Sequence, residues 1–143
     1  MLALVLAAAI ARLSFGELFE KQGDLRPSQR VEQLTGKRVR VEGFMARMEQ
    51  PPKGAFWLCR KPIEIDEGGG GTGDLPIESI LVVLTPQSEH EAPPLRGPLQ
   101  VEGRLEVGRQ QAPDGTLSLF RIVLDAAHPR KTTQSRLHHK EKR

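Results

Sequence analysis

Residues 37–48 read KRVRVEGFMARM, and the period of that stretch decides the fold. Val39, Val41, Gly43 and Met45 alternate with Arg38, Arg40, Glu42 and Phe44. A period of two places the first set on one face of an extended strand and the second on the other. A glycine in mid-strand marks a sharp bend. Residues 98–108, PLQVEGRLEVG, repeat the pattern with the same Val-Glu-Gly at the centre. There Leu99, Val101, Gly103, Leu105 and Val107 face inward, and Gln100, Glu102, Arg104 and Glu106 face outward. Two bent strands of this kind suit a small closed barrel.

Three further strands lie around them. AFWLCR (55–60) sets Phe56 and Leu58 against Trp57 and Cys59, and SILVVL (79–84) is an uninterrupted apolar run of a well-buried strand. Asp114-Gly115 signals a hairpin turn into TLSLFRIVLDA (116–126). Upstream, LSFGELFEKQG (13–23) predicts a short helix with Ser14 and Glu17 in capping-box spacing. RPSQRVEQLTG (26–36) predicts another, opening near Pro27-Ser28 and stopped by Gly36. The expected fold is all-β: a five-stranded barrel of the oligonucleotide/oligosaccharide-binding (OB) type with short N-terminal helices. An open sandwich is the alternative.

At 143 residues the chain is one domain's worth of polypeptide. Its net charge of +3 is unevenly spread. Residues 129–143 carry six Lys/Arg against Glu141, a net of +5, which leaves residues 1–128 at −2. The basicity belongs to a tail with almost no apolar residues, expected over 128–143 as a disordered segment able to contact an anionic membrane surface. The domain itself is expected over 12–127. MLALVLAAAIA (1–11) has the apolar length of an export segment and ends in Ala9-Ile10-Ala11, although no Lys or Arg precedes it. Read as an export segment, it makes the protein periplasmic or envelope-associated. Read as an apolar helix lying on the domain, it leaves the protein cytoplasmic.

LCRKPIEIDEGGGGTGDLP (58–76) invites a phosphate-loop or metal reading. A phosphate loop needs Lys-Ser/Thr after its last glycine and a helix beyond; here Thr72, Gly73, Asp74, Leu75 and Pro76 lead into a strand. Glu64, Asp66, Glu67 and Asp74 lack the calcium-loop pattern, so a solvated connection is expected. Cys59 is the only cysteine, which excludes an intramolecular disulfide framework. The histidines, His90, His128, His138 and His139, fall in a loop or the tail, so no thiol–base dyad is legible. No catalytic residue, metal or cofactor is expected.

The stretch LSFGELFEKQGDLRPSQRVEQLTGKRVRVEGFMA, followed by FWL, ILVVL and VEGRLEVG, resembles the DUF3299 family of small, uncharacterised bacterial envelope proteins with an OB-like barrel. The shared order is F-x-x-L, a pre-strand Ser and Leu, G-K-x-V-x-x-x-G-[FY]-M, a pair of aromatics and a closing V-x-G-x-L, across residues 13–125. The resemblance implies export and a binding or assembly role with an envelope protein or peptide partner. Some members carry cysteines after the second strand, where this chain has Asp66-Glu67 and glycines, so no metal or redox role is carried over. The expected contact surface is the outward face of the first two strands, with Arg38, Arg40, Phe44, Arg47, Trp57 and Arg60, together with Asp66 and Glu67. A cytoplasmic single-strand nucleic-acid binder stacking bases on Phe44 and Trp57 is the alternative, disfavoured by the net negative body.

Overall fold

Alternation in sequence becomes alternation in burial. In β2 (Arg38–Met45), Val39 and Val41 are buried while Glu42 is exposed. In β7 (Leu99–Gln111), Leu99, Val101, Gly103 and Leu105 are buried. The computed structural model describes residues 9–23, 25–65, 75–84, 92–112, 115–125 and 130–131. The remaining elements are β1 (Ala11–Arg12), a single 3-10 turn (Phe15–Glu17), α1 (Gln29–Leu34), β3 (Arg47–Met48), β4 (Ala55–Cys59), β5 (Glu64–Ile65), β6 (Ile80–Val83), β8 (Leu117–Leu124) and β9 (Arg130–Lys131).

The five expected strands stand where the periodicity puts them. β2 pairs with β4, β4 with β6, β6 with β8, β8 with β7, and β7 returns to β2, so the sheet closes into a ring. All these pairings are antiparallel except β6–β8. In chain order the ring runs first, second, third, fifth, fourth and back to first, which is an OB-type barrel. β2 meets β4 through Phe44↔Cys59 and Met45↔Leu58. The first half of β2 on that side takes β1 instead, in parallel, through Ala11↔Val39 and Arg12↔Arg40. Ala11, the last residue of the apolar opening run, is therefore already part of the sheet; residues 1–8 lie outside the described residues. At the other end Arg130 and Lys131, which composition assigns to the tail, pair with Gln100 and Leu99. They occupy the stretch of β7 edge that β8 does not reach, since β8 pairs back only as far as Leu124↔Gly103. Residues 132–143 lie outside the described residues.

The interior is filled by Val39, Val41, Phe56, Leu58, Ile80, Val82, Phe120 and Ile122, with Leu99, Val101 and Leu105. The N-terminal segment adds Leu13, Phe15, Leu18, Val31 and Leu34 to the same core. Phe19 meets Phe120 edge-on, with ring centroids 5.2 Å apart. Of the helix expected over 13–23 only the 3-10 turn Phe15–Glu17 forms, but capping contacts are present in both N-terminal segments. Glu17 Oε1 accepts from the Ser14 N–H (3.0 Å), and Ser28 Oγ accepts from the Val31 N–H (3.1 Å) at the start of α1. Gly36, which ends α1, has φ of +80°, a conformation that glycine adopts without strain.

Candidate functional site

The second strand of the ring is buried on both faces. Phe56 and Leu58 point into the barrel, while Trp57 and Cys59 belong to a separate cluster with Ala46, Ala55 and Leu81 on the outside. That outer cluster is roofed by Met48, Ile63 and Leu75. β3 and β5 form a small parallel pair beside it, Arg47↔Glu64 and Met48↔Ile65. The chain thus folds part of its own β4–β6 connection over the outer face of β4.

This corrects the expected platform. The register does bring Phe44 onto the face of Cys59 and Trp57, because Phe44 stands directly across from Cys59. Phe44 is half-buried, and Trp57 is only 4% exposed. A base cannot stack on a ring that lies under the protein's own chain. The flanking cations are engaged as well. Arg40 pairs with Glu102 at 2.9 Å, Arg47 with Glu64 at 3.0 Å, and Arg38 with Asp125 through two nitrogens. Arg60 is exposed and stands apart from those pairs, and Asp66 and Glu67 lie outside the described residues. Nothing in this arrangement favours the nucleic-acid reading. Cys59 is fully buried; desolvation pushes its thiol pKa up, only partly offset by Ser79, whose Oγ is 3.5 Å from Sγ, and Glu78 adds to the rise. A thiol held in its protonated form is a poor nucleophile.

What the fold leaves open lies at the margin of that roof. A groove of about 330 Å³ runs between Leu75–Ile77 on one side and the start of β8 on the other, with Trp57 and Ser79 lining its depth. Its walls carry two of the exposed large aliphatic side chains of the described residues, Ile77 (55% exposed) and Leu117 (47%). The indole N–H of Trp57 has no acceptor among the described residues. Arg109 lines the groove at its polar end.

Arg109 is set there by an irregularity in the ladder. Val107 pairs with Phe120 and Gln110 with Ser118, so Gly108 and Arg109 together face Leu119. An extra residue of this kind bends the strand and re-aims a side chain. Gly108 takes φ of +125°, which favours glycine. Its carbonyl accepts from Nη1 of Arg121 at 2.9 Å. Arg121 is itself buried, donates to Ser118 Oγ at 3.0 Å, and has Nε 3.5 Å from Glu106 Oε1, an ion pair without hydrogen-bond geometry. The bulge is therefore fastened from beneath by a buried cation.

A larger concavity of about 860 Å³ lies between the 3-10 turn and α1, with Glu17, Glu20 and Arg30 in its lining. Its carboxylates are already used within the chain: Glu17 pairs with Arg30, and Glu20 accepts from the Gln29 N–H. The smaller groove is the better candidate, because its depth is a rigid strand and its polar end is a cation with no ion pair among the described residues. Periodicity had singled out Trp57, but not Ile77, Ser79, Arg109, Leu117 or Ser118. Leu117 and Leu119 did leave a signal. They alternate with the inward Phe120, Ile122 and Leu124; Leu117 stays exposed at the head of that strand, while Leu119 packs partly against the main core.

No protein-family profile matches the chain, and no curated protein matches it. Among solved structures it is similar to a DUF3299 family protein from Pseudomonas aeruginosa PAO1. The two are 12% identical, the likeness covers 87% of this chain and 98% of that one, and the TM-score is 0.49. That protein carries the family name that the order of residues 13–125 resembles.

Proposed function

We propose that the chain is a non-catalytic binding module of the bacterial cell envelope, and that the groove beside Trp57 is where it meets its partner. The observation that supports this most is the pairing of Ile77 and Leu117 across the groove. Two large aliphatic side chains, about half exposed and facing one cleft, cost solvation that a partner recovers on docking. The position is also one that the fold favours, since OB barrels use the second and third strands and the loop between the fourth and fifth. Here the strand face is roofed, and the groove lies between the roof and the head of the fifth strand. An envelope location is supported by the apolar opening run and by the family resemblance of residues 13–125. A binding role without chemistry is supported by the buried, protonated Cys59 thiol.

The test is a photo-crosslinking amino acid placed at position 117, with position 42 as control, in the native host followed by fractionation. Glu42 is exposed on β2, outside the groove lining. Adducts to one recurring envelope protein from position 117, absent from position 42, are the expected result. Equal labelling from both positions, or none from 117, sinks the reading.

A further inference from the structure

We propose that the groove selects an extended acidic–aliphatic peptide segment, one branched aliphatic side chain lodging between Ile77 and Leu117 and an adjacent carboxylate resting on Arg109. This rests on the reading of the groove as the partner site and adds the chemistry of the partner.

Charge complementarity carries it. On the five ring strands and β3 the other described arginines are engaged by the chain's own acids: Arg38 by Asp125, Arg40 by Glu102, Arg47 by Glu64, and Arg104 and Arg121 sharing Glu106, while Arg12 on β1 lies outside the groove lining. Arg109 has no such partner among the described residues and is exposed. It is also placed rather than merely present. The bulge at Gly108–Arg109 is held by the buried Arg121, so the backbone that carries Arg109 cannot slide back into register without giving up the Gly108 carbonyl bond. A guanidinium offers a planar pair of donors that matches a carboxylate and does not match a lone carbonyl.

The remaining lining suits a peptide. Ser118, in the groove lining, accepts from Arg121 through Oγ, which leaves its own O–H available as a donor. Trp57, with its N–H lacking an acceptor among the described residues, gives a rigid apolar floor. A volume of about 330 Å³ accepts about two side chains, not a folded surface or a large cofactor. One aliphatic and one acidic residue, neighbours on an extended strand, fit that volume and that polarity.

The protein carries its own reporter: Trp57 is the only tryptophan and there is no tyrosine. The full chain is titrated with acetyl-Ala-Asp-Leu-Ala-amide, following Trp57 emission, with the Asp→Asn and Leu→Ser peptides as controls. The expected result is a saturable emission change with the acidic–aliphatic peptide and binding at least about tenfold weaker for either control. In Arg109→Gln, the Asp and Asn peptides should become equivalent. Arg109 is exposed, and an unchanged far-UV circular dichroism spectrum would confirm that this variant folds. An Asn peptide that binds wild-type protein as tightly as the Asp peptide overturns the selection for acid, as does an Arg109→Gln variant that still discriminates. No saturable change with any peptide also overturns the proposal. Crosslinking from position 117 would then decide separately whether the groove is a partner site of other chemistry.

Discussion

Gly43 and Gly103 sit at the centres of the two Val-Glu-Gly repeats, and both were legible as special positions. Neither has a positive φ, so the reason is space rather than backbone conformation. A Cβ on Gly103 would run into the Val123 carbonyl oxygen and stand 2.7 Å from its carbon and 2.8 Å from Ile122 Cγ2. A Cβ on Gly43 would lie 2.7 Å from the Cys59 carbonyl oxygen, and 2.9 Å from Leu58 Cγ and from Phe15 Cε2. The first collision is mainly with the backbone of a paired strand, which can yield only by opening the ladder. The second is shared with two side chains that can rotate. Gly103→Ala is therefore expected to destabilise the domain by about 3 kcal/mol, and Gly43→Ala by about 1–2 kcal/mol. Urea unfolding followed by Trp57 emission measures both, and equal midpoint shifts would contradict the backbone argument.

At the scale of elements, the five strands of the ring were legible because each has a period of two or is an unbroken apolar run. The roof over β4 was not. Its contacts come from Met48, Ile63 and Leu75, three residues far apart in sequence that share no period, and 58–76 reads as a polar connection. The residues Ala55 to Cys59 did carry a clue. Five apolar residues in succession describe a strand buried on both faces, which requires something to cover the outer one. The bulge that aims Arg109 had no such signature, since skipped register depends on the partner strand. The roof makes its own prediction. Ile63→Ala should cost about 1–2 kcal/mol, because Ile63 is only partly buried, and should shift Trp57 emission to the red. It should also speed labelling of Cys59. Burial now holds the thiol pKa up, so wetting the cluster lowers it and raises the thiolate fraction at a given pH. Labelling by a thiol reagent at pH 8 measures this, and an Ile63→Ala rate equal to wild type would show that the roof does not shield Cys59.

For the whole molecule, the question is whether the N-terminal segment is an attachment or part of the barrel. Leu13, Phe15 and Leu18 are buried in the same core as the ring strands, and Phe15 approaches Gly43 in the first of them. Glu17 fastens the segment. Its Oε1 accepts from the Ser14 N–H and hydroxyl, its Oε2 pairs with Arg30 at 2.7 Å, and Arg30 in turn donates to the Arg12 carbonyl next to β2. Burial alone would raise the Glu17 pKa, but the hydrogen bonds from Ser14 and the charge of Arg30 outweigh it and hold the pKa below the usual 4.5. A carboxylate with a depressed native pKa stabilises the fold fully above its unfolded value and loses that contribution as pH falls through the native value. Wild type should therefore exceed Glu17→Gln in stability by a constant margin above about pH 5, and the margin should close below about pH 4. The side chain is 40% exposed, so screening keeps the margin under about 1 kcal/mol. Urea midpoints at intervals from pH 7 to pH 3 measure it. Trp57 belongs to the outer cluster, on the face of β4 opposite this core, yet its emission should follow the same single transition as far-UV circular dichroism, because a core shared across both parts unfolds as one. An earlier transition seen only by circular dichroism would mean that the segment detaches first, and that the ring closes without it.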